Sequence, residues 1–183
     1  MDTAILTIGH SNHPLRDFIA LLQAQSVDLV VDVRRLPGSN RYPQFNEDAL
    51  RDSLAAVGIE LQRSEGLTGR RGRDRSVPHD VNGWWQNRSF HNYADHALGV
   101  EFADALAGLR LIAQDRTVAV MCSEAVWWRC HRRIIADHLL AEGDRVAHVL
   151  GADNVQPAEL SSGAVVDSDH GVTYPAHHPY GSQ

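Results

Sequence analysis

The chain has 183 residues, 43% of them hydrophobic and 22% charged, a composition that fills one ordinary globular core and holds no apolar run long enough to span a membrane. Its net charge of -6 excludes broad electrostatic attraction to nucleic acid, which needs cations that neutralise phosphates, and leaves open only a local basic groove. The two cysteines, Cys122 and Cys130, are too few for a disulfide-stapled secreted domain, and the first residues lack the basic head and cleavage site of a secretory signal, so reduced thiols in a cytoplasmic protein are expected.

In chain order, residues 4–8 form an apolar run ending at Gly9 and predict a buried first strand; Ser11 and Asn12 are candidate caps for a helix over 15–25, with Pro14 in its first turn. Residues 27–33 are β-branched and predict a second strand closing in Asp32, Arg34 and Arg35, after which Pro37 and Gly38 break the chain. Asn46 is placed to cap a helix over 47–57, and residues 59–62 predict a third strand. From Ser64 to Asn92 apolar periodicity vanishes, which reads as a long loop. It returns from Tyr93 through Ile112 as one helix; residues 117–121 predict a fourth strand, 127–141 a helix stopped by Gly143, and 145–150 a fifth strand. Residues 1–150 are thus read as a single α/β domain, and 151–183, with His170, His177 and His178, as a loosely attached tail with one docked turn at Tyr174 and Pro175.

Alternating strands and helices predict a three-layer, Rossmann-like fold, a mainly parallel sheet of about five strands with helices on both faces, because parallel neighbours need crossover helices. Ligands of such sheets bind outside the carboxyl ends of the strands. Gly9-His10-Ser11, Asp32-Val33-Arg34 and Met121-Cys122-Ser123-Glu124 all fall at that rim.

The densest chemistry runs from Met121 to Arg133. Cys122, at a strand end facing a helix start, is expected to be the more acidic thiol, since unpaired amides and arginines favour thiolate; Cys130, inside the helix, should titrate as an ordinary cysteine. Glu124 can act as general acid or base, His131 is tunable near neutral pH, and Arg129 or Arg132 can clamp an oxyanion. The bland reading is a Cys122 packed as a small apolar residue beneath a decorated helix. Trp127 and Trp128 are expected to cover the core or wall a pocket. Six residues separate Cys122 from Arg129, more than in the phosphate loops of cysteine phosphatases and sulfurtransferases. A structural zinc site of Cys122, Cys130 and His131, completed by Glu124 or His10, is not expected either, because neighbours such as Cys130 and His131 point about 100° apart on a helix. At the first strand, His10 and Ser11 stand beside a glycine that admits a ligand to the backbone, or Ser11 only caps a helix. Asp32 and Arg34 belong to a binding site or pair with one another. Arg63, Arg70, Arg71, Arg73 and Arg75 read equally as a mobile basic flap over the rim or as a solvated loop.

Taken together, Thr7-Ile8-Gly9-His10-Ser11, Asp32-Val33-Arg34 with Pro37 and Ser39, Pro43-Gln44-Phe45-Asn46, Tyr93-Ala94-Asp95 and Met121-Cys122-Ser123-Glu124 through Trp128-Arg129-Cys130-His131-Arg132 resemble the domain of unknown function 488 family, from about Thr3 to Tyr174. Leu67-Thr68-Gly69 and Ser123 depart mildly from the family pattern. The resemblance implies a compact α/β fold and a polar pocket built from Gly9, His10, Ser11, Asp32, Arg34, Cys122, Glu124, Cys130, His131 and Arg132, but no reaction. The residues suggest an enzyme with Cys122, Glu124 and His131 catalytic, and with Gly9, His10, Ser11, Asp32, Arg34, Ser39, Cys130 and Arg132 binding an anionic small molecule, nucleotide or nucleic acid. A non-catalytic nucleotide or nucleic-acid sensor and a metal-binding protein are the rivals. The sequence does not say which cofactor, if any, is used.

Overall fold

The structure, a computed structural model, describes residues 4–169 and 171–176, so His170, His177 and His178 lie outside the described residues. Five strands run parallel: β1 (Ile5–Gly9), β2 (Leu29–Asp32), β3 (Glu60–Arg63), β4 (Val118–Cys122) and β5 (Val146–Gly151). A sixth, β6 (Asn154–Pro157), returns antiparallel on β5, and the order across the sheet is β3-β2-β4-β1-β5-β6. This is the expected three-layer, Rossmann-like α/β architecture.

Side chains alternate between the two faces of each strand, and the apolar sets divide accordingly. Leu6, Ile8, Val30, Ala119 and Met121 pack against Phe18 and Leu22 of α1 (Leu15–Ala24) and Leu50 and Leu54 of α2 (Glu47–Ala55). Ile5, Leu29, Val31, Val118 and Val120 pack on the other face against three helices: α3 (Arg88–His96), α4 (Val100–Ala113) and α5 (Arg132–Ala141). Each large apolar side chain so buried contributes about 1.5–3 kcal/mol. β1 and β4 lie at the centre, and their crossovers leave in opposite directions, β1 toward β2 and β4 toward β5. Such a switch point opens a crevice at the carboxyl ends of the two strands.

Several local expectations are corrected. The single helix from Tyr93 to Ile112 is two helices, α3 and α4, interrupted at Leu98 and Gly99, and α3 begins inside the supposed long loop. Its N-cap is Asn87, whose side chain accepts from the amides of Ser89 and Phe90. Asn46, by contrast, does not cap α2 with its side chain; its Oδ1 accepts from Ser39 N at 2.6 Å and closes the loop between them. Ser11 and Asn12 do not cap α1, whose N-cap position is Pro14. The helix expected over 127–141 is a single 3-10 turn, Trp127–Arg129, then an extended Cys130 (φ -126, ψ 148), and only then α5.

The segment after Gly151 contributes β6 to the sheet and a small hairpin of β7 (Val165–Val166) and β8 (Val172–Thr173). Tyr174 is fully buried, and its hydroxyl donates to Asp137 Oδ2 at 2.7 Å. Among the described residues no helix is long and apolar enough to cross a membrane.

Candidate active site

Next to that switch point, at the carboxyl ends of β2 and β4, lies a cavity of about 340 Å³. Its polar lining includes Arg34, Arg35, Arg70, Glu124, Arg129 and His131, with the two thiols, Cys122 and Cys130, between them. The side chains of Arg35, Arg70 and Arg129 are exposed and make no hydrogen bond or ion pair with another described residue. Arg70 also holds a left-handed backbone, φ 55, which costs a residue with a Cβ about 1–2 kcal/mol and is the kind of strain that persists at functional sites.

The thiols converge because β4 ends at Cys122 and the extended backbone of Cys130 brings its chain back beside that strand end. Cys122 Sγ, Cys130 Sγ and a ring nitrogen of His131 all lie within 4.8 Å of one another, and Cys130 Sγ is 3.7 Å from His131 Nδ1. The other ring nitrogen of His131 is 3.1 Å from the Val33 carbonyl. A carbonyl only accepts, so Nε2 carries a proton, and Nδ1 is the ring nitrogen that faces Cys130 Sγ. Beneath them Arg132 is buried with no carboxylate partner among the described residues; its Nε donates to Cys130 Sγ at 3.3 Å and its Nη2 to the Glu124 carbonyl at 2.5 Å.

A buried cation needs an anion, and Cys130 is placed to supply it. Burial alone pushes the Cys130 thiol up, but the Cys122 hydrogen bond and the Arg132 guanidinium outweigh it and bring the thiol down to about 6. Cys122 moves in the opposite direction, up to about 12, because its proton is shared with Cys130 and because it is buried. The expectation that Cys122 is the more acidic thiol is therefore reversed: the guanidinium sits under Cys130, and the helix start that was to face Cys122 lies further along the chain. Cys130 is also not inside a helix.

The other candidate residues separate into roles. Asp32 and Arg34 pair, as one of the two readings held: Asp32 is fully buried and accepts from Arg34 Nε at 2.9 and 3.1 Å and from Nη2 at 2.6 Å, while Arg34 also donates to the Phe45 carbonyl at 2.8 Å. Arg34 Nη1 lies 3.2 Å from His10 Nε2, and the His10 ring stacks on Phe45 at 4.2 Å. His10 and Ser11 line a neighbouring hollow with Tyr42, separated from the main cavity by Ser123 and Glu124, which line both. The rim residues therefore share one sheet edge but not one concavity. Ser39 faces neither: its hydroxyl accepts from the amides of Arg41 and Tyr42. Trp127 stacks on His148 at 4.3 Å, outside the cavity.

Gly9 has a different use from the one expected. A Cβ there would stand 1.9 Å from the Glu124 carbonyl oxygen, so the glycine admits the loop after β4, not a ligand. Gly9→Ala is expected to displace that loop and to cost about 2 kcal/mol, the order of an overpacked core site; a urea midpoint unchanged from the parent would contradict this close approach. The basic loop is anchored in part. Arg71 donates to the carbonyls of Glu65 and Thr68, and Arg63 pairs with Glu65, leaving Arg70 alone of the five arginines at the cavity. Of these five, Arg70 at the cavity fits the flap reading; Arg35, Gly69, Ser89, Phe90 and Tyr93 were not singled out as site residues in the sequence, and the charged strand end at Arg35 was the available signal.

A family model described as domain of unknown function DUF488 matches residues 14–139. The chain belongs to the DUF488 family. The match is shorter than the span over which motifs were read: it begins after β1, leaving out His10 and Ser11 of this DUF488 chain, and covers both thiols, His131 and the cavity arginines. No curated protein and no solved structure gives a match.

Proposed function

We propose that the protein is an enzyme acting on a phosphate-bearing substrate, a small molecule, nucleotide or nucleic-acid end, at the cavity between β2 and β4. One observation carries this reading: three exposed guanidinium groups, Arg35, Arg70 and Arg129, unpaired among the described residues, share a cavity with a cluster of two thiols and an imidazole. Arginine forks match phosphate oxygens in pairs, and in a chain whose net charge is -6 their gathering at one hollow defines where an anion goes. Leu36 and Phe90 add apolar wall for the rest of the substrate. The cluster is the reacting centre, and Glu124, which lines the same cavity, carries protons to and from the reacting oxygen.

Calorimetric titration with inorganic phosphate, pyrophosphate and a set of nucleotides tests the binding half. Each of Arg35→Gln, Arg70→Gln and Arg129→Gln is expected to weaken the best of these anions by about tenfold, the loss of one charge-assisted hydrogen bond of about 1.5 kcal/mol. If none binds, the anion site is wrong. The catalytic half is tested with a panel of phosphate esters: Cys130→Ser and Glu124→Gln should retain binding and lose turnover. Binding without turnover of any ester by the parent protein would favour the sensor reading instead.

A further inference from the structure

The geometry points to a divalent transition-metal site of the zinc type formed by Cys122 Sγ, Cys130 Sγ and His131 Nδ1, with its fourth position open to the arginine-lined cavity. It deepens the reading just given and rests on that reading for its substrate.

The donor distances suit such an ion. Zinc holds thiolate sulfur at about 2.3 Å and imidazole nitrogen at about 2.0–2.1 Å in a tetrahedron, which sets a sulfur-to-nitrogen edge of about 3.6 Å. Cys130 Sγ and His131 Nδ1 are 3.7 Å apart, and all three donors fit within 4.8 Å. Successive residues reach one point because the chain changes conformation between them: Cys130 is extended and His131 is helical (φ -60, ψ -14). The objection that neighbours on a helix diverge therefore does not apply.

The surroundings make the same case independently. His131 donates Nε2-H to the Val33 carbonyl, the arrangement that fixes a metal-binding histidine in the right tautomer. Arg132 donates to Cys130 Sγ, which stabilises a thiolate ligand. Two thiolates neutralise a divalent ion, so Arg132 leaves the whole site with one positive charge, suited to hydroxide or to a phosphate oxygen as the fourth ligand. Among the described residues no fourth histidine, cysteine or carboxylate joins the group, and its three members all line the cavity. Three protein ligands and one open position are the pattern of catalytic rather than structural zinc. A water on the ion gives its proton to Glu124, the hydroxide forms the new P–O bond as the ester P–O bond breaks, and Glu124 returns the proton to the departing oxygen.

The test uses the full chain purified without a polyhistidine tag. Elemental analysis by plasma mass spectrometry should find about one zinc per chain, and cobalt substitution should give the visible bands of a four-coordinate ion with sulfur-to-cobalt charge transfer in the near ultraviolet. Cys122→Ser, Cys130→Ser and His131→Ala should each remove those charge-transfer or visible features. Gly69→Ala provides a variant that keeps every ligand: its Cβ would stand 2.8 Å from His131 Nδ1 and Cε1, so the ring must shift and cobalt affinity should fall about tenfold. Protein with no bound metal as purified, and no sulfur-to-cobalt band when the fully reduced chain is given cobalt, overturns the inference. Phosphate binding measured on the same samples separates the two claims, since anion binding without metal leaves the proposed function standing, and metal without anion binding removes the proposed substrate class alone.

Discussion

Asp32→Asn is expected to lower the free energy of unfolding by about 3–5 kcal/mol at pH 7, the cost of leaving one member of a buried ion pair without its partner. Asp32 is fully buried and Arg34 nearly so, and the carboxylate receives three side-chain hydrogen bonds from the guanidinium and one from the Arg34 amide at 3.0 Å. Asparagine preserves the shape but not the charge, and no second carboxylate pairs with Arg34 among the described residues. The double variant Asp32→Leu, Arg34→Met removes both charges and should recover part of the loss, the shortfall reflecting the Phe45 carbonyl that Arg34 no longer satisfies. Urea melts of the parent and both variants decide this. A single variant within about 1 kcal/mol of the parent would show that the pair is solvated in solution.

The second large effect is acid lability. His10, His138 and His148 are buried, and burial is the main reason that each is lowered to about 4; a nearby arginine adds to the lowering at His10 and His148. The folded state prefers all three neutral, whereas the unfolded chain takes up protons near pH 6.5. Their contribution to stability is therefore complete above about pH 6.5 and is lost as the pH falls toward 4, at about 3 kcal/mol for each histidine. With three groups the steepest slope is about 4 kcal/mol per pH unit. Asp137, raised by burial, acts in the opposite sense as the pH falls. His138 isolates the effect, because its Nε2 has no hydrogen-bond partner among the described residues. His138→Leu should reduce the slope between pH 6.5 and 4 by about a third. An unfolding free energy that is flat across this window would mean that the histidines are hydrated.

The central strands were legible in the sequence because β1, β2, β4 and β5 are apolar or β-branched and buried on both faces, and the alternation with helices then determines the parallel sheet. The hidden elements have other chemistry. The buried side of α3 is His91, Asn92, Tyr93, Ala94 and Asp95, held partly by polar contacts such as Asn82 Nδ2 to Asp95 Oδ1 at 2.8 Å, so it carries no apolar period. β6 is an exposed edge, Asn-Val-Gln-Pro, whose pairing comes from β5 rather than from its own composition. Within the site, the rim was visible as three strand ends. The convergence of Cys122, Cys130 and His131 was not, because Trp127 to Arg133 fits a helical pattern and nothing local marks the extended residue at 130. Arg35, Arg70 and Arg129 come from three separate loops and meet only in the folded chain.

The loop after β4 is tied down along its length. Its Cys122 and Ser123 carbonyls receive the His10 and Ser11 amides at 2.9 and 3.1 Å, and its Glu124 carbonyl lies against Gly9 and accepts from Arg132. A ligand entering the cavity therefore meets a floor that is already ordered, and the entropy lost on association is concentrated in the three loose arginines, at about 0.5–1.5 kcal/mol each. On the proposed function, discrimination between one phosphate compound and another would fall to that ordered floor, while the arginines would adapt to any anion of suitable charge. Close analogues should accordingly differ in how long they stay bound more than in how fast they arrive.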